Sequence, residues 1–274
     1  MKSLIESYNQ EYKSYKNKLY KKLFYVFALF VIPLIPTIIY YKEILFVKVL
    51  FWIFASIIFI IILLFLALLL YRSERPMYEY LYKKIIDLAF EDDPTHHEYE
   101  CFPKTYPFIE KGHLFKKAHS EVVRYRLTYY YLNNRIDLYS FYAYSKLHKS
   151  NEIVFNGIYY VLNNDNTQTF QVRTKGRNPF ENKELKLMES IDAYDIYLKE
   201  NDHIPNKIID VFKSLTTRFD HPIYMSGAHK EIHVAIDKLY DKLAVKELTE
   251  DKLTELKDQM KILIQLGRDI YKKL

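Results

Sequence analysis

Residues 122–142 read VVRYRLTYYYLNNRIDLYSFY, and their period is two. Val123, Tyr125, Leu127, Tyr129 and Tyr131 fall on one face, with Arg124, Arg126, Thr128 and Tyr130 on the other, which is the alternation of a strand with one buried side. Asn133 and Asn134 then offer a two-residue turn that tolerates positive φ. Such a turn pairs Tyr131 with Ile136, Tyr129 with Leu138, Leu127 with Ser140 and Tyr125 with Tyr142, and it keeps the apolar face together on both strands. On the other face Arg126 meets Phe141, and Tyr130 lies beside Asp137. Basic and aromatic sheet faces bind single-stranded nucleic acid, but two arginines are few for that work, and the expectation is a half-buried face whose guanidiniums reach water.

Downstream, Ile153 to Leu162 and Thr169 to Arg173 read as a second hairpin, joined by the polar loop Asn163 to Thr167. Gly157 interrupts its first strand and predicts a bulge or a close backbone approach. Residues 181 to 189 read as a short charged helix and Ala193 to Leu198 as a strand. Asn201 or Asp202 caps the next helix, with Pro205 in its first turn and Ile208, Ile209, Phe212, Leu215 and Phe219 on its apolar face. Strands Pro222 to Ser226 and Glu231 to Asp237 flank a turn containing Gly227. Thr249 caps a last helix, Glu250 and Asp251 suit its first turn, and Lys272 and Lys273 its end. Its stripe of Leu253, Leu256, Met260, Leu263, Gly267 and Ile270 is short for a coiled coil, so packing on the domain is expected ahead of self-association.

Phe155-Asn156-Gly157-Ile158-Tyr159-Tyr160-Val161-Leu162 resembles the F-x-G-x-F/Y strand of the bacterial domain of unknown function 3137 family, and Tyr194-Asp195-Ile196-Tyr197 resembles that family's F-x-V-Y segment. The resemblance implies two transmembrane helices ahead of a cytoplasmic α+β domain, then a helix, a β-hairpin and a C-terminal helix. The residues ending in Leu-Thr-Pro at the start of the family's helix are His203-Ile204-Pro205-Asn206-Lys207 here. The resemblance implies no activity, cofactor or site residues.

Upstream of the hairpin, residues 95 to 115 carry no period. His96, His97, Glu98, Glu100 and Cys101 crowd together there as metal-ligand types, but neighbouring residues of an extended chain point apart, and zinc needs convergence. His229 and His233 form a second weak metal candidate. They are four apart, with His229 expected in the turn and no third ligand in view.

Further upstream, Leu23 to Tyr41 and Val49 to Leu70 carry no charge. A helix needs about 20 apolar residues to cross about 30 Å of hydrocarbon. Both segments meet that length and predict a transmembrane hairpin over 23–70, as spans 23–41 and 49–70. Lys2, Lys13, Lys16, Lys18, Lys21 and Lys22 precede the first span, and Arg72, Arg75, Lys83 and Lys84 follow the second, so the positive-inside rule places both termini of a multi-pass chain in the cytoplasm, and the family resemblance implies a bacterial inner membrane. Tyr40, Tyr41, Trp52 and Tyr71 sit where interfacial anchors belong. Pro33 and Pro36 predict a kink in the first span. Intramembrane ionisable groups mark transport pathways, and the only candidate for one here is Lys48 at the rim, which can snorkel out, so an anchor is expected rather than a pathway.

Flanking the spans, Leu4, Tyr8, Tyr12, Tyr15 and Leu19 form an amphipathic stripe over 1–22, and Tyr78, Leu81, Tyr82, Ile85 and Ala89 form another over the juxtamembrane helix 71–93. Paired, they make a stalk, and the cytoplasmic domain occupies 95–274. The net charge of +6 suits an anionic leaflet better than nucleic acid. The single cysteine excludes an intrachain disulfide framework. The 27 tyrosines belong with abundant Lys, Ile, Phe and Asn to the bias of an AT-rich genome. With five scattered glycines, the chain holds neither a phosphate-binding loop nor a nucleophile elbow. These observations predict an α+β protein without a cofactor, whose partners are the lipid bilayer and either another protein or a second copy of itself through the stalk or C-terminal helix, and whose domain binds, scaffolds or regulates. The alternative is a membrane-tethered hydrolase or metal-dependent enzyme assembled from distant residues such as Cys101, His229 and His233.

Overall fold

A computed structural model of the protein describes residues 2–31, 56, 60, 75–103, 111–112, 114, 120–147, 150–164, 168–175, 185–191, 193–199, 202–239 and 247–274. In chain order its elements are α1 (Lys2–Val31), α2 (Arg75–Ala89), β1 (His97–Cys101), β2 (Ser120–Tyr131), β3 (Asn134–Leu147), β4 (Ser150–Asn163), β5 (Phe170–Thr174), β6 (Lys186–Ile191), β7 (Tyr194–Leu198), α3 (Asn206–Arg218), β8 (Ile223–Ala228), β9 (Glu231–Asp237) and α4 (Glu250–Lys273). Among the described residues nine strands make one antiparallel sheet in the order β1-β2-β3-β4-β9-β8-β5-β7-β6. The protein is α+β as the sequence predicts.

The hairpin of β2 and β3 turns at Leu132 and Asn133, both left-handed with φ of 48° and 63°. The predicted turn was one residue later. Tyr129 therefore pairs with Ile136, Leu127 with Leu138 and Tyr125 with Ser140. Both turns put the same residues inward, so the apolar face survives the change of register. A bulge lies between Val123 and Tyr125. It turns Val123 to the face opposite Tyr125, into a cluster with Phe141, Phe155 and Tyr159.

Three sequence expectations are corrected downstream. β4 and β5 are not a hairpin: β4 pairs with β9, and β5 with β8 and β7. β8 is buried at every residue and β9 at all but its first, the pattern of central strands, and they take the middle of the sheet. Residues 186–191 are the edge strand β6 rather than helix, paired to β7 with Lys186 opposite Leu198. The expected turn at Gly227 is formed by His229 and Lys230 at φ of 53° and 62°. Gly227 is instead inside β8, where a Cβ would stand 2.3 Å from the Phe170 ring. The predicted close approach at Gly157 is present, a Cβ there standing 2.1 Å from the Ile236 carbonyl oxygen. Residues 97–101, expected to be irregular, form β1 against β2.

The chain folds as two compact units, residues 86–242 with 256–274, and residues 1–85 with 243–255. In the first, one sheet face is a continuous apolar layer including Leu127, Tyr129, Ile158, Tyr160, Val234 and Met225, all fully buried. α4 lies on it, accepting hydrogen bonds from Tyr129 Oη at the Ile264 carbonyl (3.0 Å) and from Tyr160 Oη at the Leu263 carbonyl (2.8 Å). α3 buries Ile208, Val211, Phe212 and Leu215, and the Phe212 ring meets Tyr194 of β7 at 5.4 Å. Its N-cap position is Pro205, without a side-chain cap, rather than Asn201 or Asp202. Lys257, Lys261 and Arg268 on α4 grip Glu91, Asp92 and Asp93 in turn.

In the other unit, Tyr8 and Leu19 of the predicted α1 stripe are buried, as are Leu81, Tyr82 and Ile85 of α2, and the Ser7 hydroxyl lies 3.4 Å from that of Tyr80. A third segment joins them that the sequence did not suggest. Asn9 Nδ2 donates to the Leu248 carbonyl and Asn9 Oδ1 accepts from the Leu248 amide, both at 3.0 Å. Thr249 Oγ1 accepts from the Lys252 amide at 3.2 Å, the expected cap of α4. α1 runs unbroken from Lys2 to Val31, past the predicted start of the first span. Among the described residues no helix is long and apolar enough to cross a membrane. Apart from Ser56 and Ile60, the rest of the predicted hairpin, with Pro33, Pro36, Tyr40, Tyr41, Trp52 and Tyr71, lies outside the described residues.

Candidate functional site

Type I′ turns carry two central residues at positive φ, where glycine and asparagine are usual and longer side chains are displayed outward at some strain. His229 and Lys230 occupy such a turn and are exposed. The Asn164 amide donates to the Lys230 carbonyl at 2.8 Å, which ties the loop after β4 to this turn. Beside them, the start of α3 brings Lys207 and the end of α4 brings Tyr271 and Leu274, with Lys207 Nζ donating to the Leu274 carbonyl. Asn134, at the start of β3, completes the rim, its amide held by the Leu132 carbonyl at 3.0 Å. These residues, with Asn163 and Glu231, line a cleft of about 590 Å³. Nine residues from five separate stretches of chain thus line it, all but Leu274 with polar side chains.

Glu231 links the cleft to a buried polar row on the sheet face opposite α4. Its Oε2 lies 3.5 Å from Nε2 of the fully buried His233, and its Oε1 lies 3.7 Å from Lys111 Nζ. The hydrogen bond from His233 leads in holding the Glu231 carboxyl below its ordinary value; burial opposes it, and the Lys111 charge adds to it. His233 Nδ1 meets Tyr159 Oη at 3.0 Å, and burial pushes that phenol well above its ordinary value. Gly112 is pressed onto this pair: a Cβ there would stand 2.2 Å from Tyr159 Oη and 2.9 Å from His233 Nδ1. Ser226 Oγ donates to the Gly112 carbonyl, which seals the imidazole beneath the chain. Further along this face the guanidinium of buried Arg173 stacks on Tyr197 at 4.2 Å, and burial pulls its pKa down.

The metal-ligand types singled out in the sequence are dispersed. His96 pairs with Glu98 in water and its ring sits 6.2 Å from Tyr130. His97 stacks on Phe90 at 4.2 Å and faces Asp87. Cys101 Sγ donates to the Arg124 carbonyl at 3.5 Å. Cys101 on β1 and His233 on β9 are separated by β2, β3 and β4, on the order of 19 Å at strand spacing. Among the described residues no three His, Cys, Asp or Glu side chains are grouped to hold a metal ion. On the face considered for nucleic acid, Arg126 opposes Tyr139 rather than Phe141 and pairs with Glu100 at 3.0 Å, while Arg135 grips Asp137 at 2.9 Å.

Sequence reasoning reached His229 and its turn but missed Asn163, Asn164, Lys207, Lys230 and Glu231 as its neighbours. The available signal was the asparagine-rich loop after β4 together with a hairpin turn lacking glycine, and both are weak without the strand order.

No family model matches the chain, and no curated protein does. Among solved structures it is similar to the crystal structure of the mycobacterial trehalose monomycolate transport factor A, at a TM-score of 0.36 and 12% identity over 68% of this chain and 95% of that one, a likeness too slight to assign a function.

Proposed function

We propose that this protein is a membrane-anchored binding module. Segments 23–41 and 49–70 hold it in the bilayer with both termini cytoplasmic, and its α+β domain offers the polar cleft to a partner at the inner membrane face. The absence of charge in both segments and the flanking lysines support the anchor. The family resemblance in Phe155–Leu162 and Tyr194–Tyr197 supports the same order of parts.

One observation carries the binding role: Asn163, Asn164, Lys207, His229 and Lys230 converge on one cleft from segments far apart in the chain. Carboxamides and ammonium groups recognise a polar partner by directed hydrogen bonds. Bond cleavage needs more, namely a nucleophile, an oriented base and donors aimed at one atom. His233, the best-oriented imidazole, is buried beneath Gly112 and faces Tyr159 and Glu231. A hydrolase built on Cys101, His229 and His233 would have to join Cys101 on β1 to histidines of the β8–β9 hairpin, across β2, β3 and β4.

The test replaces His229 with a photo-crosslinking amino acid in the full chain in its own membrane, with Ile262 on the exposed face of α4 as the control position. A discrete crosslinked species at 229, absent at 262 and lost with Asn163→Ala plus Lys207→Ala, is the expected result. Identical products at both positions, or none at 229, would overturn the cleft as the binding site.

A further inference from the structure

Residues Gln10, Ser14, Asn17 and Lys21 follow one another at spacings of four, three and four, so they share one face of α1. With Lys13 and Lys18 on either side they line a shallow groove of about 440 Å³. The opposite side of the helix is occupied, because Tyr8 and Leu19 are buried there. Lys16 is turned away, its Nζ 4.9 Å from the centre of the Tyr12 ring. The groove thus combines three ammonium groups with two carboxamides and a hydroxyl, and the helix carboxylates Glu6 and Glu11 are not in its lining. Among the described residues none of its lysines is engaged in an ion pair.

Toward the apolar segment, Tyr20 beside Lys21 is exposed by 59%, and Phe24 and Tyr25 of the next turn by 68% and 70%. Exposed aromatic rings cost little at the headgroup level of a bilayer, where their apolar bodies and polar tips are both solvated. Lys21 stands one turn before Phe24 and Tyr25, and with those rings in the headgroup region it lies at the depth of lipid phosphates. We infer that the α1 groove binds the headgroup of an anionic phospholipid, its phosphodiester against Lys13, Lys18 and Lys21 and its alcohol hydroxyls against Asn17 and Gln10. Lipids with neutral headgroups supply the phosphate but balance it with their own cation, which the three lysines repel. This inference rests on the reading of the chain as membrane-anchored, and it names the lipid class that the anchor selects.

The full chain, purified in neutral detergent, is titrated separately with phosphatidylglycerol, phosphatidylcholine and inorganic phosphate, with binding read by native mass spectrometry. Phosphatidylglycerol is expected to bind on the order of a hundredfold more tightly than phosphatidylcholine, and the triple variant Lys13→Gln, Lys18→Gln, Lys21→Gln to lose that preference while its thermal unfolding is unchanged. Lys83→Gln, on α2, is expected to keep it. Equal binding of the two lipids, an unaffected triple variant, or displacement of phosphatidylglycerol by equimolar inorganic phosphate would each overturn the assignment. Carbonate extraction of membranes reports on the anchor separately: release of the chain would sink the membrane reading, whereas the headgroup preference is read in detergent in either case.

Discussion

Gly267 on α4 lies directly against the Tyr129 hydroxyl of β2: a Cβ at 267 would stand 2.2 Å from Tyr129 Oη, which donates to the Ile264 carbonyl at 3.0 Å. The phenol is fully buried, and burial pushes its pKa far above the ordinary value, so it acts as a neutral donor. Helix and sheet approach this closely because residue 267 has no side chain.

Gly267→Ala sets two effects against each other. Alanine favours the helix by about 1 kcal/mol, and overpacking costs about 1–3 kcal/mol. The Tyr160 ring closes the other side at 3.1 Å, leaving little room to relax, so a net loss of about 1–2 kcal/mol is expected in unfolding of the detergent-solubilised chain. Tyr129→Phe alone is expected to cost about 1 kcal/mol, and the double variant less than the sum, because removing the hydroxyl opens the space that the new methyl needs. Strict additivity would show that the two positions do not share this contact.

At the β2–β3 turn, Leu132 holds a φ of 48° and is 71% exposed. The left-handed region costs a leucine about 1–2 kcal/mol and an asparagine less, while the exposed side chain gives up little burial. Leu132→Asn is therefore expected to raise stability by about 1 kcal/mol, measured as a higher midpoint of thermal unfolding. A lower midpoint would mean that the leucine is covered in the native assembly.

The acidic run at 91–93 and the basic face of α4 make three ion pairs of unequal exposure. Glu91 and Asp92 are 59% and 79% exposed, whereas Asp93 and Arg268 are at 25% and 16%. Exposed pairs contribute about 0–1 kcal/mol each, so Glu91→Gln and Asp92→Asn are expected to cost less than Asp93→Asn, which is expected to cost about 1–2 kcal/mol. Burial alone would raise the Asp93 carboxyl, but the hydrogen bonds from Thr95 and Arg268 prevail and hold it below its ordinary value of 3.8. A carboxyl lowered in the folded state contributes stability above that ordinary value and loses it as pH falls through the lowered one. The wild type should accordingly lose its margin over Asp93→Asn on acidification below about pH 4, and a margin independent of pH would contradict this pairing.

Gly157→Ala tests the centre of the sheet. The added carbon would meet the Ile236 carbonyl oxygen at 2.1 Å, and backbone cannot rotate aside as a side chain can. Loss of more than about 3 kcal/mol is expected, with hydrogen exchange rising first along β4 and β9.

Some of the molecule was legible in its residues and some was not. The alternation in β2 was readable because one face is buried along its whole length, and a shifted turn left that face intact. β6 was not readable, since all but one of its residues are exposed and its side chains have no face to alternate about. Nearness in sequence suggested that β4 pairs with β5, but the buried β8–β9 hairpin outcompeted that pairing. The cleft was illegible for the same reason: His229 was placed in its turn, but its neighbours Asn163 and Lys207 reach it only through a strand order that no local pattern encodes.

The placement of the cleft and of the α1 groove both depend on the anchor, and single-cysteine labelling tests it most directly. In a Cys101→Ser background, Glu43→Cys lies between the two apolar segments and Ile262→Cys lies on α4. An anchored chain with both termini inside predicts that a membrane-impermeant maleimide labels position 43 from outside intact cells and position 262 only after the membrane is opened, with the chain retained in carbonate-washed membranes. Equal labelling of both positions from one side, or release of the chain by carbonate, would contradict it.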